Sequence, residues 1–403
     1  MQRVFTERAH LMCPNMYFGI VIMIDAIFDK ERILKTGNAL SEAHPFLKSL
    51  LGNDEAGYYY DISDENQIRY VFKDTDAIGI DDKTIIDEYN KLTMNEWNLR
   101  TDGMLKILCF KNGTKTVLLF VFHHLLADGR GAFLLAEEFA ACYKKGVMPG
   151  YVEEKLISSR EDMPNDSTLP FISKLLIKRA NRQWKNENHV LAYDEYLKLA
   201  DQFLDTDKVS RTVRIESAEV YNDIVEACHE RHVSVNDYLM AQMYINDQTE
   251  KIVIAYDLRE KLNCYKNMAL GNYSTAFSVA YKSKSKDVWK AAEDVHDLVK
   301  KKTNHPKELF LVLQCYAELD GGILDAAFVA SRCGYESNAA KFIGSMFFGF
   351  EESKGYSITN LGRFESDSIE EAAFLPPASP AMRKTLGVLT VNGRMAVSSA
   401  NRK

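Results

Sequence analysis

Met104-Leu105-Lys106-Ile107-Leu108-Cys109-Phe110 is followed, after a short polar break, by Thr116-Val117-Leu118-Leu119-Phe120-Val121-Phe122-His123-His124-Leu125-Leu126-Ala127-Asp128-Gly129. The two apolar runs read as strands, and Asn112-Gly113 between them is a strong hairpin signal because both residues tolerate positive φ. The second run is almost wholly apolar, which predicts burial on both faces. It ends in two histidines, whose side chains must point to opposite faces of the strand. Only one of them can enter a given cleft, where a neutral imidazole is a ready general base. Asp128, four residues later, is placed to fix the loop and to cap a following helix. Gly129 gives the backbone freedom to turn. The alternative for this stretch is a pair of satisfied core histidines at a strand end.

Outward from this point the chain mixes strands and helices. Phe18 to Ile27 reads as a strand, and Glu31 onward as a helix entering a loop at His44-Pro45. Tyr58 to Tyr60 and Arg69 to Phe72 read as short strands, and Asp81 to Leu92 as an amphipathic helix. Ala132 to Tyr143 has helical spacing and stops near Gly146. Further on, Val209 to Ile215 and Lys251 to Asp257 are strand-like. Ala218 to His229 and Ser234 to Asn246 are helical, with Ser234 as N-cap. Asn392-Gly393 marks a second hairpin, between Thr385–Val391 and Arg394–Ser398. The order lacks regular βαβ alternation, so the expected class is α+β, not a doubly wound parallel sheet. We expect one half over 1–168, a connecting segment over 169–193 and a second half over 194–403. Within the connector, Lys174, Lys178, Arg179, Arg182 and Lys185 have no acid among them. They suit either a solvated connecting helix or contact with a membrane surface or a phosphate-bearing ligand.

Composition removes several classes. The 403 residues are 46% hydrophobic and 27% charged, which excludes global disorder. A formal charge of −7 is a poor footprint for a nucleic-acid binder, so no such partner is expected. No apolar run is long enough to span a membrane, and Phe18 to Phe28 is broken by Asp25. Glu7, Arg8 and His10 interrupt any leader-like apolar segment. Seven cysteines, an odd number with no CxxC pair, point to free thiols and a cytoplasmic setting. There is no Walker A loop, no G-x-S-x-G elbow and no HExxH, and Gly129-Arg130-Gly131 lacks the third glycine of a dinucleotide fingerprint. His229 and His232 are too few for a metal site, and no metal is expected.

His123-His124-x-x-x-Asp128-Gly129 resembles the HHxxxDG motif of the CoA-dependent acyltransferase superfamily. That superfamily includes chloramphenicol acetyltransferases, plant BAHD enzymes, alcohol acetyltransferases and peptide-synthetase condensation domains. His44-Pro45-Phe46, Tyr256-Asp257-Leu258-Arg259, Leu270-Gly271-Asn272-Tyr273 and Ser357-Ile358-Thr359-Asn360-Leu361-Gly362-Arg363 fit the same layout. The likeness therefore spans most of the chain. It departs from the plant subgroup, since no DFGWG segment occurs and Thr359-Asn360-Leu361-Gly362 stands in the comparable stretch. The resemblance leans toward the alcohol acetyltransferase or condensation-like branch.

The resemblance implies two chloramphenicol acetyltransferase-like α/β halves meeting as a pseudo-dimer at a central tunnel, and hence a monomer. It makes His124 the base and His123 a support. Asp128 becomes a mainly structural residue paired with Arg259, and Gly129 keeps the tunnel wall clear. Asn272, Ser357, Thr359, Asn360 and Gly362 are implied to line the site or hold an oxyanion. The expected reaction moves an acyl group from acyl-CoA to a hydroxyl or amine of a small-molecule acceptor, with no permanently bound cofactor. Two rivals stand beside it: a condensation-like enzyme fed by an acyl or peptidyl carrier-protein thioester, and a binding relative that has lost the reaction.

Overall fold

The structure is a computed structural model that describes residues 2–282 and 286–402. In chain order the first part runs β1 (Gln2–Arg3), α1 (Arg8–Leu11), β2 (Tyr17–Ile24), α2 (Lys30–Ala43), β3 (Ser49–Asp54), β4 (Gly57–Ile62), β5 (Arg69–Phe72), α3 (Lys83–Leu92), β6 (Leu105–Asn112), β7 (Lys115–His123) and α4 (Gly129–Lys145). Two helices follow, α5 (Phe171–Glu187) and α6 (Tyr193–Thr206). The remainder runs β8 (Val209–Glu216), α7 (Ala218–Glu230), α8 (Val235–Asn246), β9 (Lys251–Asp257), β10 (Ser274–Ala280) and α9 (Val288–Thr303). Short helices then lead to β11 (Gly355–Phe364), β12 (Glu371–Leu375), β13 (Met382–Val391) and β14 (Arg394–Arg402).

Every residue of β2 is buried, and β7 is buried from Thr116 onward, as its apolar sequence predicts. The two strands pair antiparallel with Phe18 opposite Phe122 and Tyr17 opposite His123. They form the middle of a five-stranded sheet of order β12-β2-β7-β6-β5. Strand β2 stops at Ile24, before the charged Asp25 and short of the expected Ile27. A six-stranded sheet of order β10-β9-β11-β13-β14-β8 carries the second half, and β1, β4 and β3 form a small third sheet. The architecture is the expected α+β class.

One strand breaks the sequence order. β12 leaves the second half and pairs antiparallel with β2, with Glu371 opposite Met23 and Leu375 opposite Gly19. It becomes the edge of the first sheet, so the halves interlock. One large core cluster accordingly joins Phe18, Phe120 and Phe122 of the first half to Leu361, Phe374 and Leu389 of the second.

The two Asn-Gly signals resolve differently. Asn392 and Gly393 both have positive φ, 51° and 74°, the conformation the dipeptide was expected to take. At the first hairpin Asn112 is the last strand residue, paired with Lys115. The turn there is Gly113-Thr114, and only Gly113 has positive φ. That pattern belongs to a type II′ turn, which needs glycine at its first central position.

Candidate active site

Strand β7 ends at His123 and delivers the two histidines to opposite sides. His123 is fully buried, its Nδ1 accepts the Leu125 N–H at 3.1 Å, and its ring meets Tyr17 edge-on at 5.2 Å. Its Nε2 therefore carries the proton and faces Glu96 Oε1 at 3.9 Å. This bond holds the backbone of the turn at Leu125 from behind.

His124 points the other way and meets the second half of the chain. Asn272, in the loop before β10, donates Nδ2 to the backbone oxygens of His124 at 2.8 Å and Leu125 at 3.2 Å. That fixes the amide, so its Oδ1 is the atom 2.8 Å from His124 Nδ1. Nδ1 is then the protonated nitrogen and Nε2 holds the lone pair. Among the described residues Nε2 has no hydrogen-bond partner. Burial is the largest influence on the imidazolium and lowers its pKa below 6.5; the charge of Asp128 and the Asn272 amide oppose this in part. The ring is thus neutral near pH 7.

The plane of that ring is held by carbon-rich neighbours. His10, just C-terminal to Arg8 in α1, stacks on it with centroids 4.3 Å apart and planes 9° apart. Phe18 of β2 approaches edge-on at 5.2 Å. His10 is itself held well below the ordinary histidine range by burial and by the two neighbouring imidazoles. A histidine in a four-residue helix has no periodic signal to mark it.

Asp128 and Arg259 form the buried ion pair that the resemblance implies, with Oδ1 and Nη2 2.7 Å apart. The same carboxylate caps α4 through the Gly131 N–H at 2.9 Å and accepts the Tyr273 N–H at 2.9 Å. Burial pushes this carboxyl up, but Arg259 and the two N–H donors prevail and hold it below the usual range. Arg259 also reaches Asp257 Oδ1 at 3.1 Å. Asp128 therefore ties α4 to the Asn272 loop, and its oxygens face structural partners, not the His124 lone pair.

Gly129 occupies a crowded position, and torsional freedom is not what it supplies, a correction to the expected role in the turn. It opens α4 without positive φ, and a Cβ on it would lie 2.6 Å from Leu361 Cδ2. Gly131 is a second such position, where a Cβ would sit 3.0 Å from Arg259 Nη2. The Asn272 loop has a further anchor. Glu154 Oε1 accepts the Leu270 N–H at 3.2 Å and lies 3.0 Å from His44 Nδ1, while His44 Nε2 is 2.7 Å from Glu138 Oε2. Burial lowers the His44 pKa, but the two carboxylates outweigh it and push it up to about 9.

The late segment is less directly placed. Leu361 brings β11 against Gly129, yet no hydrogen bond joins Ser357, Thr359, Asn360 or Gly362 to His124 among the described residues. Ser357 Oγ donates to Thr385 Oγ1, and Asn360 Oδ1 accepts the Gly362 N–H. Gly362 has a φ of 101° at a bulge between Asn360 and Arg363, a torsion that favours glycine. The structure thus gathers His123, His124, Asp128, Gly129, Arg259 and Asn272 at one junction.

The family model described as "Condensation domain" matches residues 15–246, more than half of the chain. This chain belongs to the condensation-domain family. As a condensation-domain protein it is 28% identical over 160 residues to surfactin synthase subunit 2 of Bacillus subtilis (strain 168). That stretch is 39% of this chain and 4% of the relative, so the chain spans a small fraction of that protein's length. Solved structures with the same fold include polyketide synthase associated protein 5 from Mycobacterium tuberculosis, at TM-score 0.59 and 15% identity, covering 100% of this chain and 92% of that one. The condensation domain of the monacolin K polyketide synthase MokA gives TM-score 0.60 at 11% identity, with 100% and 92% coverage. The epimerization domain from the third module of tyrocidine synthetase B gives 0.56 at 13%, with 98% and 88% coverage. At these identities the likeness is one of fold. Both domains and the family belong to the superfamily that the motif resembles, and the comparisons favour its condensation branch.

Proposed function

We propose that this chain transfers an acyl group from a carrier-protein thioester to an amine or hydroxyl, with His124 Nε2 as general base. The donor is a revision: acyl-CoA was the first expectation from sequence, and the condensation family with its synthase relative supports the carrier instead. The observation that carries the catalytic reading is the Asn272 bond, which sets the tautomer that leaves Nε2 free. Nε2 takes the acceptor proton as the acceptor's lone pair bonds to the thioester carbonyl carbon. The oxyanion collapses, the C–S bond breaks, and the imidazolium returns its proton to the leaving thiolate. No permanent cofactor enters this scheme.

The supporting roles follow from what each residue touches. Asn272 positions the base, His123 supports the turn, and Asp128 with Arg259 holds the two halves in register. Gly129 keeps Leu361 at close approach. Thr359 Oγ1 and Asn360 Nδ2 have no intramolecular partner among the described residues, so we assign them as candidate lining or oxyanion donors ahead of Ser357 and Gly362. The boundaries at 168 and 194 describe the halves, with β12 as the crossing strand.

The donor is tested by thiol release from two probes, octanoyl-CoA and a carrier protein bearing an octanoyl-pantetheine arm, each with a panel of primary amines and alcohols. The proposal expects faster release from the loaded carrier. Equal or faster release from octanoyl-CoA would restore the CoA donor and remove the carrier.

A further inference from the structure

Helix α5 buries Ile177, Ala180 and Trp184 and turns its opposite arc to solvent. On that arc Phe171 is 80% exposed, Ile172 70% and Leu175 57%. Lys174, Lys178, Arg179, Arg182 and Lys185 are exposed as well. Helical spacing puts Phe171, Leu175, Lys178 and Arg182 in one column, flanked by Lys174 and Lys185 on one side and Ile172 and Arg179 on the other.

Neither group of residues is explained within the molecule. None of the five cations has an ion pair among the described residues, whereas exposed cations elsewhere do, as in Arg3–Asp54 and Arg363–Glu365. The helix has one acid, Glu187, and its carboxylate is taken up by Ser337 Oγ and the Ala339 N–H. A solvated connector accounts for the charges but not for three large apolar side chains beside them. Side chains this exposed stand proud of the surface. They suit a fluid apolar phase better than the fixed shape of a folded partner.

We propose that this face of α5 docks on an anionic lipid surface. Phe171, Ile172 and Leu175 enter the boundary between headgroups and acyl chains, and the five cations engage lipid phosphates. The chain as a whole is net negative, so the attraction comes from this local face and not from the overall charge, and it orients the molecule on the membrane.

The full-length chain is sedimented with vesicles of phosphatidylcholine alone and with vesicles that also contain phosphatidylglycerol. Two double variants are compared, Phe171→Ser with Leu175→Ser, and Lys178→Glu with Arg182→Glu. All four positions face solvent, and circular dichroism melting checks that the fold is kept. Partition into the anionic vesicles is expected, with loss at high salt and a drop of at least about tenfold in each double variant. No partition, or equal partition of wild type and both variants, overturns the proposal. So does a dimer in light scattering, or retention on an acidic carrier protein, that the same variants abolish while the vesicles bind nothing.

Discussion

Asn272 Oδ1 and His124 Nδ1 lie 2.8 Å apart, on residues 148 positions apart in sequence and from opposite halves of the chain. The amide that accepts this bond also donates to the His124 backbone oxygen. One side chain therefore fixes both the ring and the turn that carries it. Asn272→Ala removes the tautomer lock and is expected to lower kcat by about 10²-fold with little change in KM. Steady-state kinetics on the loaded carrier measure this. An unchanged kcat would show that the bond only holds the loop.

Asp128→Ala has a different signature. It leaves Arg259 buried with one half-exposed partner, uncaps α4 and frees the Tyr273 N–H. A loss of about 3–5 kcal/mol is expected in urea unfolding, with soluble yield falling alongside activity. A variant of wild-type stability that is inactive would give Asp128 a direct chemical role.

His10 and the pH profile are linked. On the proposed mechanism neutral His124 is the active form, and its pKa is lowered, so the acid limb of kcat/KM should fall below 6.5. His10→Ala uncovers the ring to water, which relieves its burial. The limb should move up toward 6.5 and kcat should drop by about tenfold as the ring loses its stop. His10→Phe keeps a flat partner and should restore both. A limb that does not move in His10→Ala would leave the stack without influence on the base.

His44 makes stability depend on alkaline pH. Its folded pKa of about 9 lies above the ordinary 6.5, so its contribution is full below 6.5 and is lost as pH rises through about 9. The shift corresponds to about 3 kcal/mol. Urea midpoints taken below 6.5 and above 9 should therefore fall in the wild type, and His44→Gln should lack that part of the fall. An identical pH dependence in the variant would mean that His44 does not hold its proton between Glu138 and Glu154.

The parts of this fold that were legible in sequence are those with local causes. Lys251–Asp257 is a run of β-formers, and the Asn392-Gly393 turn is required by torsion alone. Asp128 as a cap, and the opposed directions of His123 and His124, follow from strand and helix geometry. β12 was not legible, since five residues near the end of the chain pair with a strand near its beginning and nothing local encodes that partner. His10 and the His44–Glu154 anchor were missed for the same reason: their meaning lies in contacts made by distant segments. The Asp128–Arg259 pair, 131 positions apart, came from family resemblance and not from the pattern of residues.

The most direct test of the central claim is the single-turnover rate of His124→Ala with an octanoyl-pantetheine-loaded carrier and an amine acceptor. The melting temperature should stay close to wild type while the rate falls by about 10²–10⁴-fold. A rate near wild type in a folded His124→Ala protein would contradict the claim that this imidazole removes the acceptor proton.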